Sequence, residues 1–334
     1  MSKGGLAVVG NGSAPEVTLE RVPCNLCGAD VAQVLFYGRD RLHDLPGEFR
    51  VVRCRRCGLI YLNPRPISGE IGRYYPADYH PYVAPVRAGQ HRVSRWDQRY
   101  GLYKRLRAVA ALQTGRRLLD VGCGSGDFIA FAREQGWQVQ GVELSESAAA
   151  FCRDRLGLPV VTGDLQAAGL PAGRFDVITL WNVFEHLFDP AATLIEIRRI
   201  LAPRGLLVMA VPDAGSLDAR IFGPRWAGYD VPRHLYTFDH LTLDRMLSQA
   251  GFKAVRRRCL DSSHSIFFFS LRFWLHGRAG WQWARPWAER LERSRLIRLI
   301  DAPYFWLVDA LLKGPVVTVF ARADTSSTGQ GGGQ

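Results

Sequence analysis

The chain has 334 residues, 47% hydrophobic and 22% charged, a globular balance that excludes a disordered, collagen-like or coiled-coil chain and suits one large domain with a smaller one. Its 43 lysines and arginines against 31 acids leave a net charge of +12, which favours an anionic partner without choosing between nucleic acid, a phosphorylated substrate and an acidic membrane surface. Residues 6–9 are too short for a signal-peptide core and the apolar run 266–275 is half of the ~20 residues that a membrane span needs, so a cytoplasmic protein is expected.

Residues 1–20 and 323–334 are rich in small polar residues without periodicity, and both are expected to be disordered. Between them the first signal is cysteine. Cys24-Asn-Leu-Cys27-Gly28 and Cys54-Arg-Arg-Cys57-Gly58 are matched CxxCG knuckles, each able to present two thiolates, and together they predict a four-cysteine zinc ribbon over 21–64. A redox dithiol needs a single CxxC opening a helix rather than a pair. With four protein ligands the metal has no open position, so its role is structural. Arg53, Arg55 and Arg56 either neutralise the thiolate charge or contact nucleic acid or phosphate. A connector follows over 65–112, with Tyr74, Tyr75, Pro76, Tyr79, Pro81 and Tyr82 leading into a basic, helix-like stretch.

From residue 113 to 322 strand and helix signals alternate, as in a doubly wound α/β sheet. Strands are predicted at 117–121, 139–143, 159–161, 175–180 and 206–211, and helices at 127–135, 147–156 and 191–201. After a long loop, Asp239 is placed to cap a helix that Gly251 ends. Two more strands, 253–260 and 316–321, flank an insertion at 263–315.

The sharpest motif lies after the first of these strands: Asp120-Val-Gly122-Cys123-Gly124-Ser-Gly126. A dinucleotide fingerprint would need glycine at Asp127 or Ile129, and a P-loop would need a lysine after Gly126; both registers fail, and an acidic residue beside the loop would repel a pyrophosphate. The DxGxGxG pattern resembles the S-adenosylmethionine (SAM) loop of class I methyltransferases, a likeness that runs through residue 321. It implies a seven-stranded Rossmann-like sheet with SAM as cofactor. In that reading Asp120, Gly122, Cys123, Gly124 and Gly126 lie along the methionyl part. Glu143, with Leu144 beside it, ends the second strand and takes the ribose hydroxyls, for which a carboxylate is suited. Asp164 and Leu165 meet the adenine, and Trp181 and Asn182 complete the site.

On the substrate side, Trp181-Asn-Val-Phe-Glu185-His186-Leu-Phe-Asp-Pro190 lacks the Asn/Asp-Pro-Pro-aromatic motif of base N-methyltransferases. It is similar to ubiquinone-pathway O-methyltransferases and to enzymes of bacterial glycan and natural-product assembly. A hydroxyl acceptor must lose a proton, and histidine is suited to take it. The candidates are His186 and His234, with Glu185 facing the same pocket; His234 stands in Pro232-Arg233-His234-Leu-Tyr-Thr-Phe238, which resembles a segment of zinc-ribbon methyltransferases. Arg233 either binds an anionic substrate group or pairs with Asp230. The expected acceptor is a small molecule, sugar or lipid-linked glycan, methylated at oxygen or carbon. The alternative is an RNA base methyltransferase that uses the ribbon and basic surface to hold RNA.

The insertion contains Trp274, Trp281, Trp283, Trp287 and Trp306, and residues 251–322 carry thirteen Lys/Arg against five Asp/Glu. Three readings stay open for it: a helical cap over the pocket, a surface for peripheral contact with the inner face of a membrane, or a nucleic-acid platform.

Overall fold

The computed structural model describes residues 7–9, 17–76, 92–261, 263–276 and 281–324; the remaining terminal residues expected to be disordered, and Tyr79, Pro81 and Tyr82 of the connector, lie outside them. Two short antiparallel sheets form the N-terminal unit. β1 (Ala7–Val9), β2 (Val17–Glu20) and β6 (Arg65–Pro66) make one. β3 (Ala32–Gly38), β4 (Phe49–Cys54) and β5 (Ile60–Leu62) belong to the other; the Cys24/Cys27 knuckle precedes β3 and the Cys54/Cys57 knuckle links β4 to β5.

β2 corrects the expectation that irregular structure extends to residue 20. Its four residues alternate, Leu19 is buried, and the partner is distant: Leu19 pairs with Pro66 and Glu20 with Arg65, whose Nε also donates to the Glu20 carboxylate at 2.9 Å. A strand this short has no local signal strong enough to outweigh the composition around it.

α1 (Ser68–Ile71) and a 3₁₀ turn at Gly72–Tyr74 bring the chain down on the ribbon, where the Tyr74 ring meets Phe49 edge-on at 5.5 Å and its hydroxyl donates to Pro46 O at 2.8 Å. α2 (Arg92–Ala110) then leads into the large sheet. There β7 (Arg117–Val121), α3 (Asp127–Glu134), β8 (Gln138–Glu143), α4 (Glu146–Leu156), β9 (Val160–Thr162), β10 (Phe175–Trp181), α5 (Pro190–Ile200) and β11 (Leu201–Pro212) alternate as expected. The five strands are parallel, and residues such as Leu118, Val177, Ile178, Leu207 and Val208 have no exposed surface, as strands covered by helices on both faces require.

α6 (Leu217–Phe222) and β12 (Tyr236–Thr237) lie in the long loop after β11. α7 (His240–Gln249) starts at a capping box in which the Asp239 carboxylate accepts from Thr242 N at 2.8 Å. β13 (Phe252–Arg258) and β14 (Val316–Ala323) close the sheet as an antiparallel pair, in the order β13-β14-β11-β10-β7-β8-β9. Between them stand α8 (Ser263–His276), α9 (Arg285–Arg293) and α10 (Arg295–Ala310). The strand order turns back between β7 and β10, which opens a crevice at the carboxyl ends of these strands, the place where such sheets bind ligands.

β12 does not join the large sheet. It pairs antiparallel with β5, Tyr236 opposite Tyr61, so the ribbon sheet reads β12-β5-β4-β3 and takes its edge strand from the loop that carries His234. The junction is locked by Arg233, which has no exposed surface. Its Nε and Nη2 donate to Asp230 at 2.8 and 2.7 Å, Nη2 and Nη1 to Asp40 at 2.6 and 3.1 Å, and Nη1 to Tyr74 O at 3.0 Å. All five guanidinium N–H groups are thereby used, which overturns the reading of Arg233 as an anchor for an anionic substrate.

Removing one partner of a buried ion network leaves uncompensated charge and costs about 3–5 kcal/mol. Arg233→Met is therefore expected to lower the urea midpoint strongly, whereas Arg39→Met, which breaks an exposed pair with Glu48 at 3.2 Å, should leave it unchanged. Equilibrium urea unfolding of the two variants checks the difference.

Candidate functional site

The residues singled out around the glycine loop gather in the crevice. β7 ends in Asp120 and Val121, and the chain turns into α3 through Gly122 and Gly126, both at positive φ (+67° and +79°). A side chain at Gly122 would also meet the Val183 methyls at 2.6 Å, so glycine is required there for space as well as for conformation. Asp120 is buried and accepts from Thr179 Oγ1 at 2.6 Å; burial pushes its carboxyl up to about 7 against the pull of that hydrogen bond and of Arg105. Glu143, at the end of β8, ties the loop down: its carboxylate accepts from Gly124 N at 2.7 Å and from Ser145 N at 2.9 Å. Burial raises its pKa while these N–H groups oppose the rise.

The other predicted contacts line the same edge. Leu144 is 73% exposed just past Glu143, and Cys123 is buried below the loop near Gly141. Asp164 is exposed and its carboxylate accepts from Ala167 N at 2.7 Å, a turn that seats Leu165 in the core. Trp181 ends β10 with its ring edge-on to Phe128 at 5.1 Å and the Arg105 guanidinium 4.7 Å from its centroid, and Asn182 follows in the left-handed region. Thr179 and Arg105 were not foreseen. A buried threonine in the apolar strand Val177-Ile-Thr-Leu-Trp181 is a visible signal; Arg105 is far away in sequence and carries none.

Beyond β10 a 3₁₀ turn (Phe184–His186) presents Glu185 and His186 toward His234. The two imidazole rings meet edge-on, 4.6 Å between centroids. His234 Nδ1 lies 2.8 Å from Gly228 O, and His186 Nδ1 lies 3.0 Å from Arg233 O with the Tyr75 hydroxyl 2.9 Å away. A carbonyl only accepts, so His234 carries its proton on Nδ1; His186 does the same when it serves the Arg233 carbonyl, with the Tyr75 oxygen as a second acceptor, and both rings then keep the Nε2 lone pair for other chemistry. Tyr75, from the connector, is a member of the site that the sequence did not mark as one. Glu185 has no exposed surface, and neither carboxyl oxygen has a hydrogen-bond partner among the described residues; His234 Nε2 is 3.9 Å from it.

Burial sets the charge state of all three groups. It pushes the Glu185 carboxyl up to about 8 and the His186 imidazole, beside His234, down to about 3, and it lowers His234 as well. Near pH 7 the cluster is thus a protonated acid beside two neutral bases. One ligand atom from each of the three lies within 4.8 Å of the others, so the same cluster has the spacing to hold a cation.

The second constellation is the cysteine cluster. Cys24 Sγ lies 3.4 Å from Cys57 Sγ and Cys27 Sγ 3.5 Å from Cys54 Sγ, with all four within 4.8 Å of one another. A tetrahedral Zn²⁺ with bonds of ~2.3 Å would separate its sulfurs by ~3.8 Å, so the spread fits one ion. Both knuckles close through a glycine N–H, Gly28 N to Cys24 O at 2.8 Å and Gly58 N to Cys54 O at 3.0 Å. Arg53, Arg55 and Arg56 are exposed beside the knuckle.

The raised pKa of Glu185 has a defined sign. The stability it allows is complete below the ordinary carboxylate range and is lost as pH rises toward about 8. Glu185→Gln stays neutral, so its stability relative to the native protein should increase steadily from pH 5 to pH 8; parallel urea titrations at several pH values read the trend.

Comparison with known proteins agrees with this geometry. The family model described as a methyltransferase domain matches residues 95–257. The chain is 31% identical over 140 residues to the malonyl-[acyl-carrier protein] O-methyltransferase of Serratia marcescens, covering 42% of this chain and 54% of that protein. It is 33% identical over 170 residues to the ubiquinone biosynthesis O-methyltransferase of Methylococcus capsulatus, covering 45% of this chain and 70% of that protein. The corresponding Pseudomonas aeruginosa enzyme is 28% identical over 148 residues, 39% of this chain and 62% of its own length. The chain thus spans about half the length of the Serratia relative. With the strand order, the glycine loop and the acidic residues at the strand ends, these matches establish that the chain belongs to the SAM-dependent methyltransferases.

Proposed function

We propose that the protein transfers a methyl group from SAM to a hydroxyl, or to an acidic carbon, of a small molecule, sugar or lipid-linked glycan. The observation that carries this reading is the pair of neutral imidazoles with free Nε2 atoms at the end of the cofactor crevice. SAM supplies an electrophilic methyl on a cationic sulfonium. Asp120, Cys123 and the loop Gly122, Gly124 and Gly126 would hold its methionyl part, Glu143 and Leu144 its ribose, and Asp164, Leu165, Trp181 and Asn182 the adenine side of the crevice.

The fit rests on features of this chain: a loop that turns through Gly122, Gly124 and Gly126 at positive φ, and the buried carboxyls of Asp120 and Glu143 at adjoining strand ends, which suit a ligand that carries positive charge and hydroxyls. His186 or His234 would take the acceptor proton at Nε2, which the Nδ1 contacts to backbone carbonyls keep aimed and unprotonated. Protonated Glu185 can donate a hydrogen bond to an acceptor oxygen. The same arrangement could remove a proton beside a carbonyl, which is what a carbon acceptor needs. Because the reaction needs in-line alignment, the loop that β12 fastens to the ribbon contributes by positioning the acceptor.

Two measurements test this. Labelled SAM incubated with the protein and two pools, total RNA and a small-molecule plus glycolipid extract, should place label in the second pool by mass spectrometry, and His186→Ala with His234→Ala should lose at least ~100-fold in rate. Label in RNA alone would make the exposed arginines of the ribbon an RNA surface and overturn the acceptor class. For the ribbon, elemental analysis is expected to find about one zinc per chain, lost in Cys24→Ser with Cys54→Ser, and because β12 leans on this sheet the loss should also disturb the His234 loop.

A further inference from the structure

The insertion between β13 and β14 sorts its side chains by sign and polarity. α8 packs inward through Phe268, Phe273 and Leu275. Every acid of the segment 281–311 turns toward α8. Glu289 and Glu292 reach Arg272 at 3.1 and 3.7 Å, Asp301 meets His264 Nδ1 at 2.9 Å, and Asp309 accepts from Ser263 Oγ at 2.5 Å. Phe305 and Val308 fill the inner face of α10 between them.

The outer face of α10 is of the opposite kind. Leu296 (66%), Leu299 (75%), Ile300 (66%), Trp306 (72%), Leu307 (51%) and Leu311 (62%) are all exposed. At 3.6 residues per turn they share an arc of about 160° with Pro303, Tyr304 and Ala310, and that arc contains no charged residue. α9 and the turn before it extend the patch with Trp283 and Trp287, 69% and 56% exposed. Basic groups rim it: Arg290 is exposed with its guanidinium 5.4 Å from the Trp287 ring centroid, and Arg293 is exposed beside it. An apolar face this broad on one helix exceeds the scattered exposure normal for a protein surface.

We infer that α9 and α10 form an in-plane docking surface for an anionic bilayer. Leucines and isoleucine would enter the acyl boundary, tryptophans sit at headgroup level, and arginines meet lipid phosphates. No described helix is long and apolar enough to cross a membrane, and α10, with acids and a histidine partner on its inner face, is built to lie flat. Charge complementarity selects the bilayer over a second copy of the chain. A twofold self-contact would bring the same arginine rim against itself with no outward acid to pair it. The inference is independent of the acceptor reading above.

The test is cosedimentation of the full chain with vesicles of phosphatidylcholine alone or mixed with phosphatidylglycerol. The native protein should pellet with the anionic vesicles. Leu299→Glu with Leu307→Glu, which replaces exposed side chains only, should weaken binding at least tenfold while leaving the melting temperature and SAM affinity unchanged. Arg290→Glu with Arg293→Glu should weaken it and flatten its salt dependence. Absence of vesicle binding by the native protein, unchanged binding by the leucine variant, or a dimer in sedimentation velocity that the leucine variant dissociates would overturn the inference, the last by assigning the face to a second copy. Failure of methyl transfer to every acceptor would leave the vesicle result standing.

Discussion

The organisation of this molecule depends on one guanidinium. Arg233 is fully desolvated, a state that is tolerable only when its N–H groups are all engaged by charge-assisted or carbonyl partners. Those partners come from three stretches of chain: Asp40 in the ribbon, the Tyr74 carbonyl in the connector and Asp230 in the loop before β12. Because no partner can leave without stranding the others, the three segments are held as one body. The Arg233 carbonyl meets His186 Nδ1, so the clamp also fixes the orientation of a ring in the candidate site.

The ribbon is consequently joined to the loop that carries His234 and is not an appended module. Its cysteine knuckles shape β4 and β5, β5 takes β12 as its neighbour, and β12 begins two residues after His234. Cysteine cluster, sheet register and histidine position form one mechanical chain, in which each link is a short-range contact. Tyr75 continues the connection from the connector side through its contact with His186.

Burial acts on every ionisable group around this junction, and the partner decides the outcome. Glu185 and Asp230 are both removed from water. With no hydrogen-bond partner among the described residues, the Glu185 carboxyl rises to about 8, whereas at Asp230 the upward push of burial is overcome by hydrogen bonds from Arg233 and the carboxyl is held below its ordinary value. Two carboxyls at 3.9 and 4.0 Å from the same His234 Nε2 thus take opposite charge states, one protonated and the other a structural anion. The insertion repeats the principle at larger scale: acids face inward where α8 offers partners, while Arg290 and Arg293 face outward.

The sequence by itself determined the elements whose signals are local. The alternation from β7 to β11, the glycine loop after Asp120, Glu143 at the next strand end, the capping of α7 by Asp239 and the CxxCG pairs are all short patterns in which backbone conformation, ligand geometry or periodicity dictates residue type. It also named Glu185, His186 and His234, which the fold brings together. Only the tertiary structure decided what rests on distant partners: the β2 strand, the pairing of β12 with the ribbon, the burial of Arg233, and the roles of Thr179, Arg105 and Tyr75. The physical reason is that a side chain's charge state and function follow from what desolvates and pairs it. For Arg233 and Asp40 that partner lies 193 positions away, beyond the reach of any periodicity or motif.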